Sequence, residues 1–359
     1  MSRVVAAMSG GVDSSVAAAL LARERGDDEV IGVWMRTHGD LPEGYELSRS
    51  CCSPDAADDA RRVAQLLNIP FFILNVEREF GERVIDTFVD AYLDGATPNP
   101  CQACNQYIKF DELLKRGLAA YGADAVATGH YARLEHRDGR WRLMRAADAD
   151  KDQTYFLWVL DQAQLARTRF PLGELTKPQV RAMAGELALP TAQKPESQEI
   201  CFVPLGDYRD LLEERRGYAG EPGPIVDAGG TQVGTHTGYA HYTVGQRHGL
   251  GVALGEAVYV REVVPSTNTV VIGRRDEVAQ RSFAVDGARF TAGEPPSERF
   301  EASVRIRHRA ADVPAEITMV GGDRFVVETD EPVWAPAPGQ AAVLYDGEEC
   351  LGGGRIARG

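Results

Sequence analysis

The chain opens with a short apolar run, RVVAAM (3–8), a small polar turn, and an Ala/Leu-rich run, VAAALLARER. A short apolar run bounded by turn residues predicts a buried strand, and an Ala/Leu-rich run predicts a helix. The same alternation repeats downstream. EVIGVWM (29–35), FFILNV (71–76) and ADAVATG (123–129) predict strands, whereas residues 55–69, 78–95 and 111–122 carry helical periodicity. Strands alternating with helices predict an α/β fold, a doubly wound parallel sheet covered on both faces. The pattern changes after about residue 205. Residues 217–256 are glycine-rich with few helix-like runs, and from 257 short alternating runs follow: AVYVREV, TVVIG, FEASVRIRH, PAEITMV, RFVVETD and AAVLYD. Regular short strands predict a small β-barrel or sandwich. The expected organisation is an α/β unit over 1–205, a small central unit over 206–275 and a C-terminal β-barrel over 276–359.

The turn Ser9-Gly10-Gly11-Val12-Asp13-Ser14-Ser15 falls between the first strand and the first helix. Glycines there let backbone N–H groups approach an anion, and the helix N-terminus adds partial positive charge. The hydroxyls of Ser9, Ser14 and Ser15 offer further donors, and Asp13 has two readings, a Mg2+ ligand or a loop-orienting group. No G-K-[ST] follows, so this is not a Walker A loop. SGGVDS instead resembles the PP-loop of ATP pyrophosphatases. That resemblance implies cleavage of ATP between its α- and β-phosphates and transfer of AMP to a substrate oxygen. The bland alternative is a Gly/Ser-rich turn with no ligand.

Six cysteines, at 51, 52, 101, 104, 201 and 350, are too few for a disulfide scaffold in a chain of 359 residues. Cys101 and Cys104 form a C-x-x-C, a pattern that points to metal or redox chemistry. Read as half of a structural zinc site, it lacks a second C-x-x-C or H-x3-H nearby. Cys51, Cys52 and Cys350 read as packed or incidental.

The segments TPNPCQACNQYIKF (97–110), TGHYAR (128–133), KDQTY (151–155) and ESQEICFVP (196–204), with SGGVDSS, resemble the tRNA-specific 2-thiouridylase family over essentially the whole chain. The resemblance implies ATP-dependent 2-thiolation of the wobble uridine of tRNAs for Lys, Glu and Gln. Sulfur would come from a cysteine desulfurase, directly or through a carrier protein. It implies Cys104 as nucleophile and Cys201 as persulfide carrier, the two able to close a disulfide. It implies an ATP site of Ala7, Met8, Ser9, Gly10, Gly11, Val12, Asp13, Ser14, Met35 and Gly129. Asn99, Pro100 and Cys101 would face the target base, and Lys151, Asp152, Gln153, Arg307 and His308 the tRNA. One position departs from many family members, which carry Asp where this chain has Cys101. Three thiols, at 101, 104 and 201, could hold three irons of a [4Fe-4S] cluster and leave the fourth iron open to sulfide. A persulfide relay and a cluster therefore both stay open.

Several of these positions also have plain readings. Met35 ends a strand whose carboxyl end should face the ligand crevice, though on sequence alone a core methionine is the favoured reading. Gly129 would let backbone approach a nucleotide, and the prolines flanking Asn99 stiffen its loop. In VRIRHRA (304–310), strand alternation puts Arg305, Arg307 and Arg309 on one face, a phosphate track or else a solvated barrel face. A net charge of −14 argues against a non-specific nucleic-acid binder, so Lys109, Lys115, Arg116, Lys151 and the 305–309 cluster should be gathered on one side. The N-terminus has no signal-like h-region and no apolar stretch nears the roughly 20 residues of a membrane span, so a cytoplasmic protein without a membrane partner is expected. Two other classes compete: a PP-loop synthetase acting on a small molecule, which needs neither Cys104 nor Cys201, and a non-catalytic RNA- or cluster-binding protein.

Overall fold

The predicted alternation builds a five-stranded sheet in which every pair is parallel. The structure, a computed structural model, describes residues 2–24, 26, 28–37, 54–195, 200–203 and 207–358. Cys51, Cys52 and residues 196–199 of the ESQEI motif lie outside the described residues. In chain order come β1 (Arg3–Ala7), α1 (Val12–Glu24), β2 (Glu29–Arg36), α2 (Pro54–Leu66) and β3 (Phe71–Asn75). Helical stretches over 77–93 and 100–121 precede β4 (Ala125–Ala127), the hairpin β5 (Arg133–Arg137) and β6 (Arg140–Met144), and the short β7 (Thr168–Arg169). The sheet order is β3-β2-β1-β4-β7. Order runs outward from β1 in both directions, so the crevice past the carboxyl ends of β1 and β4 is the topological switch point, where open α/β sheets take ligands.

Helix α1 starts at Val12, four residues earlier than its Ala/Leu run suggests, because Asp13 and Ser14 already sit in its first turn. Its buried face (Val12, Val16, Ala17, Ala18) packs with Ala57, Ala60, Val63 and Ala64 of α2 in one apolar core. Small residues here let both helices lie close to the sheet. The cysteine segment is not a loop: Asn99 caps a helix with Pro100 at its first turn, and Asn99 Oδ1 accepts the Cys101 N–H at 3.1 Å. From Cys104 to Glu112 that helix is wound as a π-helix, a form frequent at functional sites.

Four strands, β8 (Gly223–Val226), β9 (Gln232–His236), β10 (Tyr259–Val264) and β11 (Thr269–Gly273), make a small sheet of order β10-β11-β8-β9. The last six are β12 (Gln280–Phe290), β13 (Arg299–Arg305), β14 (Val313–Gly321), β15 (Arg324–Val333), β16 (Ala341–Asp346) and β17 (Glu349–Ile356). They run β12-β15-β14-β13-β16-β17, and β12 pairs with β17 to close a barrel around Val285, Ile317, Phe325 and Val327. The glycine-rich end is thus β17, a strand that glycines hide from apolar alternation.

The barrel does not stand apart. β17 continues into β6, pairing Glu349 with Met144 and Cys350 with Leu143. Phe110, Leu143, Tyr155 and Leu157 of the α/β unit pack with Val343, Tyr345 and fully buried Cys350 in one apolar cluster. Among the described residues no helix is long and apolar enough to cross a membrane.

Candidate active site

A cavity of about 340 Å³ opens at the switch point. Ala7, Met8, Ser9, Asp13 and Ser14 line it from the β1–α1 turn, Trp34, Met35 and Thr37 from the end of β2, and Thr128, Gly129 and His130 from the end of β4. Pro100, Cys101, Cys104, Asn105 and Lys109 close one wall, Gln153 and Phe156 another, and Ile200, Cys201 and Phe202 a third. Of the predicted nucleotide residues, Gly10, Gly11 and Val12 shape the turn without lining the cavity. Met35 has both of its readings: it lines the cavity and also packs on two apolar clusters.

The turn is braced from within. Ser14 Oγ accepts the Ser9 N–H at 3.0 Å and lies 3.1 Å from the Gly11 carbonyl, and buried Ser15 Oγ donates to that carbonyl at 2.8 Å. Ser9 Oγ lies 3.1 Å from Ser14 Oγ, so all three hydroxyls read as phosphate donors brace the loop, with Ser9 the exposed one. Gly10 has φ +71°, and a β-carbon on it would come within 2.1 Å of the Ala56 carbonyl oxygen. Gly129 meets the start of α1 rather than open space: its β-carbon would fall 2.7 Å from Ser14 N and 2.8 Å from Asp13 C.

Asp13 is held by partners the sequence did not reveal. Lys177 Nζ donates to both carboxylate oxygens, at 2.7 and 2.8 Å, and the Tyr131 hydroxyl donates to Oδ1 at 2.8 Å. Lys177 opens helix Lys177–Glu186, behind the Thr176–Gln179 capping box, 164 residues from Asp13. With both oxygens so engaged, Asp13 is built into the bracing of the turn, in keeping with its loop-orienting reading. His130 is buried, its Nδ1 2.8 Å from Thr128 Oγ1 and its Nε2 3.5 Å from Lys109 Nζ. An ammonium can only donate, so Nε2 accepts and the proton sits on Nδ1. Burial, with help from the Lys109 charge, pushes the imidazole well below its ordinary pKa and keeps it neutral.

Cys101 is exposed, whereas Cys104 and Cys201 are half-buried. Those two pack against one apolar cluster that includes Val76, Phe80, Ile108 and Phe202. Chain segments 97 residues apart thus bring both thiols to one cavity. The cysteine helix is clamped by Gln102 Nε2 on the Tyr155 carbonyl (3.3 Å) and Asn105 Nδ2 on the Phe156 carbonyl (3.1 Å). Both amides are buried polar side chains at helical spacing, and that spacing is their only mark in the sequence. Among the described residues, no three of His, Cys, Asp and Glu are gathered in a way that would hold a metal ion. Cys101, Cys104 and Cys201 all line the same cavity.

The expected tRNA contacts divide. Gln153 lines the cavity and is tied to Tyr131, donating its N–H to the Tyr131 carbonyl and accepting the Tyr131 N–H on Oε1. Asp152 turns inward: its side chain is 2% exposed, accepts from Thr154 Oγ1 at 2.7 Å, and lies 3.7 and 3.8 Å from Arg145 and Arg305. A carboxylate so placed ties the α/β unit to the barrel and does not face a phosphate. Lys151 is half-buried and lies outside the cavity lining. The predicted strand face of arginines is also corrected. β13 ends at Arg305, so 307–309 occupy a turn and strand alternation does not apply to them. Arg305 pairs with Asp312 at 2.7 Å, and Arg307 donates to the Ala335 carbonyl at 2.8 Å. His308 packs its ring 4.6 Å from that of Phe156 on the cavity wall, and burial lowers its pKa.

Fold and site together define a PP-loop α/β protein of the adenine nucleotide α-hydrolase type carrying a closed β-barrel. Three family descriptions match in sequence: "tRNA methyl transferase HUP domain" over residues 2–205, its PRC-barrel domain over 209–274, and "aminomethyltransferase beta-barrel domain" over 280–356. The chain is 49% identical over 359 residues to a tRNA-specific 2-thiouridylase MnmA of Chloroflexus aggregans, covering 100% of this chain and 99% of that one. It is 50% identical over 360 residues to the MnmA of Carboxydothermus hydrogenoformans, covering 99% and 98%. The chain belongs to the tRNA-specific 2-thiouridylase (MnmA) family. Among solved structures, the U34-tRNA thiolase NcsA of Methanococcus maripaludis, with its [4Fe-4S] cluster, overlaps 61% of this chain and 67% of its own at 19% identity and a TM-score of 0.36. That likeness is too loose to carry a cofactor or a residue role across.

Proposed function

We propose that this protein is a tRNA-uridine 2-sulfurtransferase, which uses ATP to place sulfur on carbon 2 of the wobble uridine and forms AMP and pyrophosphate. Family membership supports the activity. The observation that carries the chemistry is the sharing of one cavity by the glycine turn and the thiols of Cys104 and Cys201. A small-molecule synthetase would need the turn but not the thiols.

The C2 carbonyl of uridine is a poor electrophile, and AMP on its oxygen makes that oxygen a leaving group. The braced turn at 9–14, the carboxyl ends of β1 and β4, and the N-terminus of α1 form the nucleotide side of the cavity. Mg2+ bound with the triphosphate would neutralise phosphate charge there. Lys177 and Tyr131 hold Asp13, and through it the first turn of α1.

Sulfur transfer runs as a relay. The terminal sulfur of a Cys201 persulfide bonds to C2 as AMP departs with the C2 oxygen. The Cys104 thiolate then attacks Cys201 Sγ, breaking the S–S bond to the transferred sulfur. The bond electrons stay with that sulfur as the 2-thiocarbonyl, and a Cys104–Cys201 disulfide remains. Lys109 puts a cation in the same cavity, which favours thiolate. The relay needs only the two half-buried thiols, Cys104 and Cys201, which pack on one apolar cluster, whereas Cys101 is exposed. Asn99 and Pro100 set the base-side entrance, and Gln153, Arg307 and His308 lie on the barrel-side route for tRNA. The units 1–205, 206–275 and 276–359 then take catalysis, spacing and tRNA contact. Substrates are tRNAs for Lys, Glu and Gln, the donor is a cysteine desulfurase or its carrier, and the setting is the cytoplasm.

Mass spectrometry of nucleosides from tRNA incubated with protein, ATP and a sulfur donor should show 2-thiouridine. Cys104→Ala should abolish it while tRNA-dependent pyrophosphate release persists. Full product from both Cys104→Ala and Cys201→Ala would overturn the reading.

A further inference from the structure

The relay accounts for two of the three thiols on the cavity and leaves Cys101 without a task. It also leaves Cys104 and Cys201 oxidised after each turnover, and half-buried against Phe80 and Phe202. Those rings meet edge to face at 5.8 Å, an apolar backing that impedes approach of a bulky reductant. Cys101, by contrast, is exposed and lines the same cavity one helical turn before Cys104.

Resting on the relay reading, we propose that Cys101 is a resolving thiol. Its thiolate attacks Cys104 Sγ of the Cys104–Cys201 disulfide, one S–S bond forms as one breaks, and Cys201 leaves as a thiolate ready for reloading. The product is a Cys101–Cys104 bridge at the surface. An external dithiol reductant then supplies two electrons and two protons, becomes a disulfide itself and restores both thiols. Attack at Cys104 rather than Cys201 follows from the helix. The Cys104 N–H bonds both the Cys101 and Pro100 carbonyls, so the turn between the two thiols already has the tighter i−3 contact. Helical β-carbons at this spacing lie about 5–6 Å apart, and a disulfide wants them at about 3.5–4.5 Å. The turn must tighten further to close the bridge, which leaves it the easier of the two disulfides to reduce.

The test combines disulfide mapping with turnover. Persulfide-loaded protein is given ATP and tRNA for one turnover without reductant, quenched in acid, alkylated and mapped by peptide mass spectrometry. Wild type should yield Cys101–Cys104, and Cys101→Ser should yield Cys104–Cys201. With a limiting thioredoxin-type dithiol protein, Cys101→Ser should turn over at least ~10-fold more slowly than wild type, and excess dithiothreitol should close the gap. Wild type that stops at Cys104–Cys201, or a variant that matches its rate at limiting reductant, would overturn the role of Cys101. Single-turnover thiolation by Cys201→Ser would instead show that the relay itself is wrong.

Discussion

Asp13 and His130 show how the site fixes charge one residue at a time. The Lys177 side chain is 10% exposed and that of Asp13 32%, so their pair is only partly screened and orients the first turn of α1. Lys177→Met should lower kcat/KM for ATP in tRNA-dependent pyrophosphate release on the order of 10²-fold, the scale of misplaced reacting groups. Lys177→Arg should recover part of that loss in steady-state kinetics, because it restores the charge. His130 carries a pH signature. Its folded pKa lies well below the ordinary 6.5, so its stabilising contribution is complete above about pH 6.5. As pH falls below that value the unfolded chain takes a proton that the folded one refuses, and stability drops, with a limiting slope of about 1.4 kcal/mol per pH unit. His236, His241 and His308 are shifted in the same direction, so the test is a difference. His130→Gln should lose less stability than wild type between pH 6.5 and 5 in urea denaturation.

At the scale of elements, the site is a meeting of ends. The carboxyl ends of β1, β2 and β4, the start of α1 and the capped cysteine helix converge because the sheet order turns at β1. Gly129 sets how closely the end of β4 approaches α1. Gly129→Ala would drive its β-carbon against backbone at Ser14 and Asp13, which cannot swing aside as a side chain can. The expected cost is about 1–3 kcal/mol of overpacking, with a larger proportional loss in ATP-dependent activity than in stability. Thermal denaturation and pyrophosphate release on the same sample check both. These strands and helices were legible in the sequence because local apolar period forms them. The π-helical winding at Cys104 was not, since its clamps, Gln102 and Asn105, find their carbonyl partners about 50 residues away.

Across the whole molecule, the α/β unit and the barrel share a sheet and a buried charge network. Arg145 and Arg305 lie between Asp152 and Asp312, and the Arg145 guanidinium also lies 3.7 Å over the Tyr345 ring. Removing the buried carboxylate leaves Arg145 and Arg305 with Asp312 as their shared acidic partner and takes the acceptor from the Ala146 N–H and the Thr154 hydroxyl. Asp152→Ala should therefore destabilise the protein by about 3–5 kcal/mol, and unfolding should split into two transitions as the barrel separates from the α/β unit. Calorimetry showing one unshifted transition would contradict that role.

Local pattern alone determined the alternating α/β unit, the glycine turn at its switch point and most barrel strands. Each of these follows from neighbours in the chain: apolar period, turn residues and motif spacing. Tertiary structure alone decided that Lys177 grips Asp13, that Asp152 faces inward, that the arginines of 307–309 leave the strand, and that β17 joins β6. Those outcomes depend on which distant groups a buried charge or an unpaired strand edge meets, and the folded chain selects that partner by desolvation and geometry, which sequence separation does not encode.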